Sequence, residues 1–173
     1  MQFYIDETMT HYTHAVKGIQ RGEELTISYV DPFTARSVRQ DRARRSWGFE
    51  CTCAHCSLPK ELARKSDDRL WQIYEVENRI ADWNSTIDMS DIELLLSLYK
   101  QESLDQSHAS DALVHAALNY NALAEEELAT RYAQLALEAG MLEKGPKSRH
   151  VQTMRQLLKD PKEHWSWRRR IRG

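Results

Sequence analysis

Trp47-Gly48-Phe49-Glu50-Cys51-Thr52-Cys53-Ala54-His55-Cys56 holds all three cysteines of the 173-residue chain, spaced CxCxxC. Three thiolates within six residues can grip one zinc ion, and a structural zinc takes four ligands in a tetrahedron. There is no fourth cysteine, so part of the site built on Cys51, Cys53 and Cys56 is expected to lie outside this sequence. His55 directly precedes Cys56, and adjacent residues rarely ligate one ion without strain. His11 or His14, farther back on an early strand, is the alternative donor. The remaining histidines, among them His108, His115, His150 and His164, have no ligand spacing and read as ordinary polar or packing residues.

Composition frames this motif. Apolar residues make up 41% of the chain, with five tryptophans, six glycines and four prolines, which is globular rather than disordered. No apolar run approaches membrane-spanning length, and the N-terminus lacks the basic-then-apolar pattern of a secretory signal. An odd cluster of cysteines does not suit a disulfide framework. A reducing compartment, nucleus or cytoplasm, is therefore expected. The net charge of −2 conceals an asymmetry. Residues 1–60 carry +1, residues 61–140 carry −10 and residues 141–173 carry +7. Solvated helix faces account for most of this, and an acidic middle also suits a basic partner.

Upstream of the cysteines the pattern is β-like. Tyr12–Val16 carries strand formers in rough alternation, and Leu25, Ile27 and Tyr29 share one face of a half-buried strand. Asp31-Pro32 ends it as a turn. Thr34 is a candidate cap for a surface helix reaching about Ser46, with arginines at 36, 39, 42, 44 and 45 and a thin stripe of Ala35, Val38 and Ala43.

Beyond Pro59 the period becomes helical. Leu62, Leu70, Ile73, Tyr74 and Ile80 mark one helix, and Ile92, Leu95, Leu96 and Tyr99 mark another after Ser90. Ser110 or Asp111 is a candidate cap for a third, with Leu113, Ala116, Ala117, Tyr120 and Leu123. Leu128, Tyr132, Leu135 and Ala136 mark a fourth that Gly140 is expected to stop. Val151, Met154, Leu157 and Leu158 mark a fifth, ended by Asp160-Pro161. The stretch after it, with Trp165, Trp167 and four arginines, reads as irregular. Small residues on the third and fourth helices let them approach closely, as in one tetratricopeptide unit.

Arg21-Gly22-Glu23-Glu24-Leu25-Thr26-Ile27-Ser28-Tyr29 resembles the last strand motif of SET-domain protein methyltransferases. In that family it is followed by an arginine-bearing segment, here Arg39 and Arg42, and then by an aromatic-Gly-Phe-x-Cys-x-Cys-x-x-Cys phrase, here Trp47 to Cys56. The order and spacing agree over residues 3–60, and the helices that follow are similar to the C-terminal domain of SET and MYND and fungal SET proteins. The resemblance implies that Tyr29 is the active-site tyrosine, in contact with S-adenosylmethionine and the acceptor amine. It implies that Phe49 packs near the cofactor's adenine, and that Cys51, Cys53 and Cys56 are post-SET zinc ligands. Plain packing of Tyr29 and Phe49, and unmetalated thiols, are the alternatives.

The fold class expected is therefore α+β. A truncated SET β-fold remnant occupies residues 1–33, and a post-SET helix with its zinc-binding cysteine loop occupies 34–59. An α-helical, tetratricopeptide-like bundle occupies 60–173. The family's Asn-His and Cys-x-Pro-Asn segment has no counterpart here, so the isolated chain is expected to bind S-adenosylmethionine poorly and to be inactive by itself. A non-catalytic protein-interaction module built on the helices is the alternative function. The expected partner is a protein substrate or peptide of basic character. A membrane is not expected, and nucleic acid ranks last because no groove or reading helix accompanies the arginine runs.

Overall fold

In the computed structural model the chain is described over residues 2–5, 10–13, 15, 18–25 and 27–171, with residues 2–5 and 10–12 through their backbone. Strands β1 (Gln2–Ile5) and β2 (Thr10–Thr13) pair antiparallel, Gln2 opposite Thr13 and Ile5 opposite Thr10. Six helices follow: α1 (Arg36–Trp47), α2 (Lys60–Ala81), α3 (Met89–Gln101), α4 (Ala109–Ala122), α5 (Glu126–Glu143) and α6 (Arg149–Lys159). A short 3-10 turn, Leu104–Gln106, joins α3 to α4.

The expected α+β class, with a SET β-fold remnant over residues 1–33, is thereby corrected: the body is helical. The lone hairpin is the whole β content among the described residues. The expected strand at Tyr12–Val16 survives only at Tyr12 and Thr13, and Val16 lies outside the described residues. Leu25 and residues 27–29 form no strand, and Leu25, Ile27 and Tyr29 are 75%, 45% and 51% exposed. Alternation makes a strand only where an edge offers backbone partners and a face to cover it. Neither meets this segment among the described residues.

The core lies where α2, α3 and α4 converge. Leu70, Ile73, Val76 and Ile80 of α2 meet Ile92, Leu95, Leu98 and Tyr99 of α3, with Ala112, Ala116 and Tyr120 of α4. Leu70, Ile73 and Ile80 are buried as the sequence reading expects, but Leu62 and Tyr74 are exposed and Ala63, Ser66 and Val76 complete the buried stripe. Asp88 caps α3, which takes in Ser90. Its carboxylate accepts from Ser90 N at 2.8 Å while Asp91 accepts from Asp88 N at 3.1 Å, a reciprocal box.

α4 and α5 pack along their lengths through small residues, since Ala116, Ala117, Ala129, Ala133 and Ala136 are fully buried. Gly140 does not stop α5, which runs on to Glu143. A Cβ at Gly140 would lie 3.2 Å from Val151 Cγ2, so this glycine admits α6 rather than ending a helix. The stretch after α6 is tied down. Buried Asn121 donates to Pro161 O at 3.0 Å and to Ser166 Oγ at 2.9 Å. Arg170 donates to Asn119 Oδ1 at 2.6 Å, Ser85 O at 2.7 Å and Ile80 O at 2.6 Å.

Two stability predictions arise from this packing. Asn121→Ala removes two buried hydrogen bonds and strands their acceptors, which is expected to cost about 2–3 kcal/mol, measured by urea unfolding. Burial pushes the imidazoles of His108, His115, His150 and His164 below their ordinary range. A depressed folded-state value means the unfolded chain takes the proton first. The stability these groups contribute is therefore present above the unfolded value, about 6.5, and is lost as pH falls through the folded values. Burial raises the Glu77 carboxyl, and the stability that contributes is lost with rising pH, opposite in sign to the four imidazoles. The thermal midpoint is expected to fall from pH 7.5 to 5.5, and a flat or rising profile would contradict this.

Candidate metal centre and aromatic wall

α1 is a platform for the segments on either side of it. Before it, Asp31 closes a turn by accepting from Phe33 N at 2.9 Å through Oδ1 and from Thr34 Oγ1 at 2.8 Å through its carbonyl. Thr34 thus turns back to Asp31 and does not cap α1. The first N–H of the helix, on Arg36, is instead taken by Asp67 of α2 at 2.8 Å. Phe33 seats the turn against the helical body, its ring 5.6 Å from both Tyr99 and His108.

Arg39 is buried and donates to the carbonyls of Pro32 and Thr34. One position on, Gln40 clasps the cysteine loop: its amide donates to Cys51 O at 2.8 Å and accepts from Cys51 N at 3.0 Å. Arg36 donates to Leu58 O at 2.9 Å at the far end of the loop. Gly48 ends α1 at φ 72°, a left-handed conformation that carries no Cβ penalty in glycine. That turn directs Phe49 toward Tyr29.

The Sγ atoms of Cys51, Cys53 and Cys56 all lie within 4.8 Å of one another. Corners of a zinc–thiolate tetrahedron are about 3.8 Å apart at Zn–S bonds of 2.3 Å. The three thiols therefore fit three corners with a small inward shift. Cys56 is buried, Cys51 partly so and Cys53 exposed. Burial pushes the Cys56 thiol up to about 11 against a hydrogen bond from Arg39. For Cys53 partial burial acts upward, but bonds from the Cys56 backbone and the Cys51 side chain prevail and hold it below the ordinary value. Among the described residues no other His, Cys, Asp or Glu joins the trio. His55 is not part of it; its Nδ1 lies 3.7 Å from Glu102 Oε2. His14 and the side chain of His11 lie outside the described residues.

Tyr29 stands edge-on to Trp47 and Phe49, ring centroids 5.2 Å and 5.5 Å apart. The three rings are 51%, 57% and 37% exposed. They make one open wall on which a flat ring or an alkylammonium group can rest. The geometry thus joins Tyr29 to Phe49, which leads directly into Cys51.

Glu102 was not visible as a site residue in the sequence. Only 2% exposed, it ends α3, accepts from Ser66 Oγ at 2.5 Å and Arg69 Nε at 2.5 Å, and faces His55. These residues line a cleft of about 310 Å³ with Leu58 and Lys65. Gln40 was equally hidden, because its role depends on where the loop returns. A charged residue in an apolar-periodic stretch is the one signal that points to Glu102.

Comparison with known proteins gives partial matches. The chain is 39% identical over 85 residues to histone-lysine N-methyltransferase SET5 of Meyerozyma guilliermondii, covering 46% of this chain and 18% of the relative. It is 36% identical over 55 residues to set5 of Schizosaccharomyces pombe, covering 32% and 17%. With histone-lysine N-methyltransferase SMYD3 of Mus musculus it is 32% identical over 76 residues, covering 40% and 18%. The chain thus spans less than a fifth of the length of these relatives. No family model matches it, nor does any solved structure.

Gln40→Ala is expected to release Cys51 and weaken zinc binding on the order of tenfold, read by competition with a chromophoric chelator. Unchanged affinity would show that Gln40 does not hold the loop.

Proposed function

We infer that this chain, part of a SET-domain protein of the lysine methyltransferase family, supplies one wall of a methyl-transfer site and the loop that braces it. The observation that carries this reading is the contact of Tyr29 with Trp47 and Phe49, immediately ahead of three clustered thiols. Ring contact between the tyrosine of one motif and the aromatics of the next supports this reading. On this reading residues 1–33 carry the tyrosine, 34–59 the platform and cysteine loop, and 60–173 the helical body.

Cys51, Cys53 and Cys56 hold zinc, which fixes the loop and so the position of Phe49. S-adenosylmethionine supplies the methyl group when bound. A lysine amine must be neutral to accept it, and free lysine has a pKa near 10.4. Tyr29 is proposed to orient that amine through its phenol, a positioning role, while Phe49 packs against the cofactor. The acceptor is a protein side chain, and basic character around it suits the −10 carried by residues 61–140. No helix of the described residues is long and apolar enough to cross a membrane; nucleus or cytoplasm is the proposed compartment.

The test is transfer of labelled methyl from S-adenosylmethionine to histone by the protein that carries this chain. Tyr29→Phe is expected to lower kcat about 100-fold with zinc content unchanged. Equal turnover in the variant would remove Tyr29 from the reaction.

A second reading, a peptide-binding helical module with tetratricopeptide-like packing of α4 on α5, is favoured by one surface. Trp71 and Tyr74 on α2 are 61% and 57% exposed with rings 5.4 Å apart. Of the acidic residues one turn away, Asp68 and Glu75 are exposed. Titrating a lysine-rich peptide into wild type and Trp71→Ala is expected to show at least fivefold weaker binding in the variant; equal affinity would dismiss this surface.

A further inference from the structure

Residues 161–170 fold back on α4 and on the loop between α2 and α3 as successive turns. Arg168 N donates to Asn121 O at 3.2 Å and Arg170 N donates to Ala122 O at 3.1 Å. At the first of these anchors Arg168 takes φ 55°, a left-handed backbone that a non-glycine residue keeps only where its surroundings enforce it. The turn brings the next two guanidinium groups to Trp83. Trp83 meets Trp165 nearly at right angles, ring centroids 5.1 Å apart and planes at 77°.

The two arginines serve different ends. Arg170 lies 4.7 Å from the Trp83 ring centre, but its nitrogens are taken by Asn119, Ser85 and Ile80; it is a structural peg. Arg169 lies over both indoles, 5.4 Å from Trp83 and 5.5 Å from Trp165. No carboxylate or carbonyl holds its guanidinium among the described residues. Arg169 is exposed, and Trp165 is 49% exposed. Arg169 is thus the cation that reaches both indoles, and two indoles set nearly at right angles around one cation are the arrangement by which aromatic cages hold alkylated ammonium groups.

We propose that Trp83 and Trp165 form a cation-binding half-cage for a methylated ammonium or guanidinium side chain, with Arg169 as the internal occupant that competes for it. Methyl groups spread the positive charge and weaken hydration, so an alkylated cation surrenders less water than arginine does on reaching the indole faces. Arg169 holds its place by tethering, which gives it an effective concentration in the millimolar range. An outside ligand must outcompete that. The half-cage uses none of Tyr29, Phe49 or the cysteines, so it does not depend on the methyl-transfer reading.

The experiment is a tryptophan-fluorescence titration of the whole chain with N-acetyl-trimethyllysine amide, with sodium chloride at matched ionic strength as the blank. Arg169→Gln, which keeps side-chain length and removes charge, is expected to bind about tenfold tighter than wild type. Adding Trp165→Leu to it is expected to lose at least tenfold, and sodium chloride is expected to give no saturable change. Should Arg169→Gln lose helical circular dichroism, Arg169→Lys is titrated instead and is expected to bind at least threefold tighter than wild type. Equal affinity in wild type and the Arg169 variant, binding that survives Trp165→Leu, or absence of binding in all of them overturns the proposal.

Discussion

A carboxylate with 2% of its surface exposed needs partners in place of water, and Glu102 has them on three sides. Ser66 and Arg69 reach it from α2, its own backbone ends α3, and His55 approaches from the cysteine loop. Removing one partner from such a buried cluster typically costs 3–5 kcal/mol, because the remainder keeps its desolvation penalty. The cysteine loop is therefore braced from both directions. Gln40, Arg36 and Arg39 hold it to α1, and the histidine beside Cys56 leans on the helical body. Three thiols that converge need such bracing, since a loop left to itself samples many arrangements and zinc accepts few.

The helical body was legible because its period is strong: α2, α3, α4, α5 and α6 all fall where apolar residues recur at helical spacing. What failed was local grammar. Thr34 and Ser110 look like caps, yet α1 starts on a carboxylate 31 residues away and the Ser110 N–H goes to Glu143, 33 residues away. A cap supplied across the fold leaves no trace at the helix start. Gly140 looks like a terminator, but its missing side chain is used by Val151. Leu25 to Tyr29 alternates as a strand should, yet alternation describes only one chain's half of a sheet. The cysteine trio was legible because spacing alone constrains it, and the approach of Phe49 to Tyr29 was implied only through a family likeness.

The arginines show a related lesson. Runs at 36–45 and 168–172 suggest a surface for phosphates. Arg36, Arg39 and Arg170 instead turn inward onto backbone carbonyls. A guanidinium offers five donors in a rigid plane, so one side chain can satisfy several carbonyls where chain segments meet. Counting positive charges along a sequence cannot separate such pegs from solvated cations.

The borrowed cap on α1 also sets an order of assembly. Arg36 has its N–H partner only once Asp67 is in place, and Asp67 lies inside α2, which needs α3 to bury its apolar stripe. A twelve-residue helix without a cap is marginal by itself in water. During synthesis, then, the cysteine loop emerges before its platform can stand, and its thiols wait until the helices encoded after them have condensed.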